Sequence, residues 1–160
     1  MTDQPTIVER AEQPYVAIRE TVPMSGIGEV ADRIPEVFDW LAAHGVEPVG
    51  AVFFKYDVVD MERGLTIQIG LPVEQAQTGD EEVVAGVLPG GRYASVTHIG
   101  HPDDLMGVTR DLFAWADGQN LEWDVEGNKW GSRLEVYKSD PREVPDMTTW
   151  ETELLFRLKD

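Results

Sequence analysis

The stretch GGRYASVTHIGHPDDLMGVTRDLFAWADG, residues 90–118, decides the fold. It opens on the turn Pro89-Gly90-Gly91 and continues as an extended run, Arg92 to Ile99. His101-Pro102-Asp103-Asp104 then reads as a helix start, with proline early and acids in the first turn. Leu105, Val108, Leu112 and Trp115 give that helix an apolar stripe, and Gly118 closes it. Strands are expected at Gly131 to Tyr137 and Trp150 to Leu158, separated by the turn-rich segment from Ser139-Asp140-Pro141 to Asp146.

Working back toward the N-terminus, the same order appears once before. Ile7 to Val22 is extended, interrupted at Gln13-Pro14, with Val16, Ile18 and Val22 alternating. After a loop from Met24 to Gly28, a helix is predicted over Glu29 to His44. It carries Val30, Ile34, Val37, Phe38 and Leu41, with Pro35 as a kink or first-turn residue and Gly45 as a left-handed cap. Pro48 to Tyr56 and Leu65 to Val73 read as strands, joined by a hairpin loop over Asp57 to Gly64. Glu74 to Glu82 is acidic and aperiodic, which suits a linker, and Val83 to Leu88 is a short strand. The expectation is an α+β fold, a tandem βαββ repeat with pseudo-two-fold symmetry. One domain spans residues 1–160, with internal units at about 6–73 and 83–158. Neither unit has the apolar surface to stand alone. The sheets should join into one antiparallel sheet, with the two helices flanking a ligand groove.

Composition narrows the function. Thirty acidic residues against thirteen basic ones give a net charge of −17, the opposite of what phosphate contacts require, so direct nucleic-acid binding is not expected. The acidity reads first as solubility and second as a field that favours cationic ligands. There is no cysteine, which removes disulfides, thiol catalysis and thiolate metal sites. No apolar run approaches the ~20 residues of a spanning helix, and the N-terminus has no leader pattern. The expected setting is cytoplasmic, with no membrane partner. His98-x-x-His101 lies at a strand end with His44 far off in sequence, so neither a metal nor another cofactor is expected. No Gly-x-Ser-x-Gly elbow or phosphate-binding loop occurs.

Gly91-Arg92-Tyr93-Ala94, His98-Ile99-Gly100, Leu134-Glu135-Val136-Tyr137, Asp140-Pro141 and Thr149-Trp150-Glu151-Thr152-Glu153 follow one another in order. Gly45-Val46-Glu47-Pro48-Val49-Gly50 and Phe53-Phe54 with Tyr56 precede them. Together, from about Tyr15 to Leu158, they resemble the gyrase-inhibitor-like (GyrI-like) small-molecule-binding family. That family supplies the effector-binding domain of multidrug-sensing transcription regulators of the AraC and MerR types. The resemblance implies a pocket between the helices for bulky aromatic or amphipathic compounds, often cationic, with a pocket glutamate ringed by aromatics. The matching residue is Glu135, and Trp150 stands where regulator versions commonly carry tyrosine. Such regulators carry a helix-turn-helix region ahead of the domain. So little precedes the first strand here that a stand-alone domain is expected, with a separately encoded regulator or enzyme as a possible partner.

Alternation puts Arg133, Glu135 and Tyr137 on one strand face and Leu134 and Val136 on the other. Two readings of Glu135 stand: a solvated face with an Arg133–Glu135 contact, or an anion in a pocket wall. The candidate ligand-binding residues are Glu135, Tyr137, Trp150, Trp40, Phe54, Tyr56, Tyr93 and Trp115. Trp40 and Trp115 are favoured because they sit on the helices, although most aromatics at such spacing are core. The leading expectation is a binding protein for a lipophilic, cationic aromatic compound. The resemblance also implies an alternative, a hydrolase of strained cyclopropane-bearing genotoxins using Glu135 with Tyr93 or Tyr137. A third is an adaptor that inhibits a partner protein.

Overall fold

Residues 2–60, 62–140 and 143–159 are described by a computed structural model, without the side chains of residues 24, 27 and 28. Pro141 of the Asp140-Pro141 motif falls outside the described residues. Strands β1 (Thr6–Arg10) and β2 (Gln13–Val22) come first, then helices α1 (Ile27–Ala31) and α2 (Ile34–Ala43). They are followed by β3 (Phe53–Asp60), β4 (Gly64–Pro72), β5 (Val84–Leu88) and β6 (Gly91–Ile99). Helix α3 (Leu105–Gly118), a small hairpin β7 (Val125–Glu126) and β8 (Lys129–Trp130), then β9 (Arg133–Tyr137) and β10 (Glu151–Arg157) complete the chain.

The main sheet runs β1-β6-β10-β9-β3-β4-β2-β5, every pairing antiparallel. The order is palindromic about the β9–β3 contact, so β2-α1/α2-β3-β4 and β6-α3-β9-β10 are the two copies of the predicted unit. Each copy's leading strand crosses over: β1 pairs with β6 of the second copy, and β5 with β2 of the first. Only Ala11 and Glu12 separate β1 from β2, although these strands lie toward opposite ends of the sheet. A two-residue link cannot span a flat sheet of that width, so the sheet curls until its ends meet.

The curl gives the sheet two different faces. The outer face carries the helices over two apolar clusters. One joins Val16, Ile18, Phe54, Ile67, Ile69 and Leu71 to Val30, Ile34, Val37 and Leu41. The other joins Ala94, Val96, Leu154 and Phe156 to Leu105, Val108 and Leu112. The enclosed face gathers Tyr15, Ala17, Phe53, Tyr93, Leu134 and Leu155 from both copies. With both faces covered, β2, β4 and β10 are buried at successive positions, not at every second one.

Several boundaries move from their predicted places. The interruption of the first extended run falls at Ala11-Glu12, while Pro14 lies inside β2 and its carbonyl accepts from the Val73 amide. The first helix breaks at residues 32–33 and restarts with Pro35 in the first turn of α2, where a missing N–H costs nothing. Val49 donates to the Pro72 carbonyl, but β3 begins only at Phe53. Beyond Tyr56 the strand passes through a bulge and continues over Val58 and Val59, β-branched residues that pair with β4 and β8. The expected loop over 57–64 therefore shrinks to a turn in which Asp60 Oδ1 accepts from the amides of Glu62 and Arg63. At the end of α3 the left-handed residue is Asn120, with φ 58°, two positions past Gly118.

Candidate functional site

The two copies meet where β3 runs antiparallel to β9, with Phe53, Phe54 and Lys55 opposite Val136, Glu135 and Leu134. Phe54 and Glu135 face each other directly, so the pseudo-two-fold passes between them. It relates Phe54-Lys55-Tyr56 to Glu135-Val136-Tyr137. The side chains of Phe54, Tyr56, Glu135 and Tyr137 all lie on the outer face, in the seam between the two helix-covered clusters. Tyr56 and Tyr137, equivalent under the pseudo-symmetry, both donate from their hydroxyls to Glu135 Oε1, each at 2.9 Å. Phe54 meets the Tyr137 ring edge-on at 5.1 Å between centroids. Trp150 packs on the other side of Tyr137 at 6.2 Å, its indole N–H donating to the Val144 carbonyl.

Burial sets the electrostatics of this cluster. It pushes the Glu135 carboxyl above its usual range, and the two tyrosine donors and the Arg133 charge only partly offset that. Tyr56 and Tyr137 are held well above the ordinary phenol value, by burial first and then by the adjacent carboxylate. Both remain O–H donors at any physiological pH. The site is thus a half-buried carboxylate with two fixed donors on one oxygen and an aromatic wall around it. Such a group attracts a cation far more strongly than a solvated carboxylate does.

Arg133, two residues earlier on the same face, is a feature that sequence reasoning missed. Its guanidinium carbon lies 4.7 Å from the Phe156 ring centroid, 4.8 Å from Trp130, 5.5 Å from Phe113 and 5.8 Å from Tyr56. Among the described residues it makes no ion pair with Glu135 within 4 Å, the contact considered from sequence. Its Nε is fully enclosed without a hydrogen-bond acceptor. Parity gave Arg133 its face, but the cage comes from β3, α3, β8 and β10, and no local signal links those elements.

Three expected ligand-binding aromatics lie elsewhere. Tyr93 is on the enclosed face, packed with Tyr15 and Phe53, and its hydroxyl donates to the Pro89 carbonyl at 2.7 Å. The sheet itself separates it from Glu135, because odd-numbered positions of β6 point away from the helices. Trp40 stacks on His44 at 3.8 Å and donates to Asp80. The core-facing stripe of α2 belongs to Ile34, Val37 and Leu41, so Trp40 falls about 100° away from Leu41. Trp115 packs at the flank of the α3 cluster. The histidine pair separates too: His98 Nδ1 meets Thr2 Oγ1 at 2.7 Å, and His101 Nδ1 accepts from the Asp103 amide as a helix cap.

Two cavities matter. One of about 120 Å³ opens beside Tyr137, between Phe38 of α2 and Lys138 and Asp140 after β9. The other, of about 280 Å³, lies on the enclosed face against Phe53, Tyr93, Leu134 and Leu155, across the sheet from Glu135.

Paired βαββ units joined through one curled antiparallel sheet define the class of fold. The chain belongs to the GyrI-like small molecule binding domain family, whose pattern it matches over residues 3–159. Among solved structures it is similar to the C-terminal domain of EcmrR, with 19% identity, a TM-score of 0.79 and 98% of each chain covered. In the EcmrR–DNA complex it spans 57% of the EcmrR chain, at 20% identity and a TM-score of 0.81. It is similar to SAV2435 bound to tetraphenylphosphonium, with 10% identity, a TM-score of 0.70, and 98% and 94% of the two chains covered. A hydrolase from Listeria innocua shares 11% identity at a TM-score of 0.64, with 98% and 92% covered. No curated protein matches the chain in sequence.

Proposed function

We propose that this domain binds lipophilic aromatic cations in the seam between α2 and α3, with Glu135 as the counter-charge. The observation that carries the reading is the half-buried Glu135 carboxylate, held by the Tyr56 and Tyr137 hydroxyls within an aromatic wall. Such a carboxylate is costly to keep in an apolar seam, and a bound cation offsets that cost. The fold's likeness to SAV2435, captured with the lipophilic cation tetraphenylphosphonium, is consistent with this use of the scaffold. Phe54, Tyr56, Tyr137 and Trp150 form the aromatic wall. A ligand of drug size needs a site of roughly 300 Å³ or more. The 120 Å³ opening beside Tyr137 would therefore widen as the ligand enters, with Phe38, Lys138 and Asp140 moving aside. Binding would then sequester the compound or signal its presence to a regulatory partner.

Calorimetric titration with tetraphenylphosphonium, and with neutral triphenylphosphine oxide as a shape control, tests the reading. The cation should bind wild type and lose at least about tenfold in affinity in Glu135→Gln, equivalent to about 1.4 kcal/mol. The neutral compound should be indifferent to the substitution. Equal, weak binding of both compounds to both proteins would overturn charge selection by Glu135.

One observation favours a second reading. A carboxyl with a raised pKa beside two phenols is equipped for general acid–base work, and the Listeria hydrolase shares the fold. In that case Glu135 would activate water or protonate a leaving group, assisted by Tyr56 or Tyr137. Incubation with a strained cyclopropane-bearing alkylator separates the two. Turnover that disappears in Glu135→Gln marks an enzyme, and recovery of the compound unchanged marks a binder.

A further inference from the structure

Arg133 and Glu135 are alternate residues of β9 on one face, so their Cα atoms stand about 6–7 Å apart. Four ring centroids lie 4.7–5.8 Å from the guanidinium carbon, an aromatic cage that offers the cation no conventional hydrogen-bond acceptor. Its Nε has no acceptor and is sealed from solvent, and the terminal nitrogens meet no acceptor among the described residues. The setting makes this unusual. The chain has thirty acidic residues for thirteen basic ones, and other half-buried or buried cations take a carboxylate. Arg33 pairs with Glu20, Lys55 with Asp57, and Arg157 with Asp124. A structural arginine in so acidic a protein would be expected to have a carboxylate partner, and Arg133 has an aromatic cage instead. A planar guanidinium with an unsatisfied Nε suits a carboxylate or carbonyl group approaching edge-on. The pseudo-two-fold sharpens the point, because the residue equivalent to Arg133 in the first copy is Val52, a core residue. The charged pair is therefore a departure from the repeat and not a requirement of the fold.

We propose that Arg133 is a second ligand-binding residue, and that the domain's ligand is an amphoteric aromatic compound. Its cationic centre would sit at Glu135 and an acceptor, most simply a carboxylate, at Arg133. This rests on the cation site proposed above and narrows its ligand class. A ligand with both charges matches the near-neutral pair Arg133/Glu135, whereas a pure cation is opposed by the Arg133 charge.

Fluorescence titration with tetramethylrhodamine and its methyl ester tests this, since the two dyes share a cationic ring system and differ in the free carboxylate. Wild type should bind the free acid about tenfold more tightly than the ester. In Arg133→Met the order should reverse, the ester gaining affinity as the opposing charge goes. Glu135→Gln should weaken both. Arg133→Lys, which keeps the charge and stem but not the fork, should lose most of the preference, and it serves if Arg133→Met fails to fold. Equal binding of the two dyes to wild type would overturn the proposal while sparing the cation site. So would a preference for the acid that survives in Arg133→Met and Arg133→Lys. If neither dye binds wild type, the cation site falls and this inference with it.

Discussion

At the scale of single residues, Glu135 carries a cost that can be measured without any ligand. Its folded-state pKa is raised, chiefly by burial, so folding favours the protonated acid over the carboxylate. The group's contribution to stability is therefore full below the ordinary glutamate value and is lost as pH rises through the raised one. Wild type should become less stable across that window, and Glu135→Gln, which still accepts from both tyrosines, should not. Thermal unfolding at pH 4 and pH 8 checks this: the variant should gain on wild type at pH 8, about 2–4 °C for each kcal/mol relieved. A variant less stable than wild type at pH 8 would mean that the carboxylate stabilises the fold. The tyrosines give a companion prediction. Each donor lowers the Glu135 pKa, so Tyr56→Phe or Tyr137→Phe should raise it further. Affinity for tetraphenylphosphonium, a cation that does not titrate, falls as pH drops through the Glu135 pKa. In either tyrosine variant that fall should begin at higher pH. Of this cluster, Glu135 and Tyr137 are legible from one strand's alternation. Tyr56 reaches the same oxygen from 79 positions away, which only the β3–β9 register decides.

At the scale of elements, local patterns told more about type than about extent. The stripe of Val30, Ile34, Val37 and Leu41 specifies helix, but the helix is two pieces with a break at residues 32–33. Gly45 ends α2 at φ 67°, as its place after the stripe implies, and a Cβ there would meet nothing within 4 Å. Gly45→Ala thus isolates the conformational cost of a left-handed cap. It should destabilise the domain by about 1 kcal/mol in urea unfolding, with an unchanged m-value. The segment over 48–60 shows where such reading stops. Hydrophobic content placed a strand over Pro48 to Tyr56, whereas the observed strand follows the available partners, β4 on one side and β8 and β9 on the other. A strand exists where another strand lends it hydrogen bonds, and periodicity carries no record of those partners.

For the whole molecule, the crossing of β1 and β5 ties the copies together more tightly than the β3–β9 contact alone. The enclosed cluster also mixes Tyr15, Ala17 and Phe53 with Tyr93, Leu134 and Leu155. We expect residues 1–160 to unfold as one cooperative unit. Far-UV circular dichroism follows both copies, while four of the five tryptophans lie in the second. Their urea transitions should coincide. Separate midpoints by the two probes would show that the copies fold independently. The sequence by itself determined the α+β class, the duplicated unit, and which residues share a face with Glu135. Those features depend on periods of two and 3.6 residues and on turn chemistry, all local in the chain. Tertiary structure alone decided that Tyr56 joins Tyr137 on Glu135, that Tyr93 lies across the sheet, and that aromatics from four elements cage Arg133. These facts follow from the curl of the sheet and the register between copies, set by close packing of residues far apart in the chain.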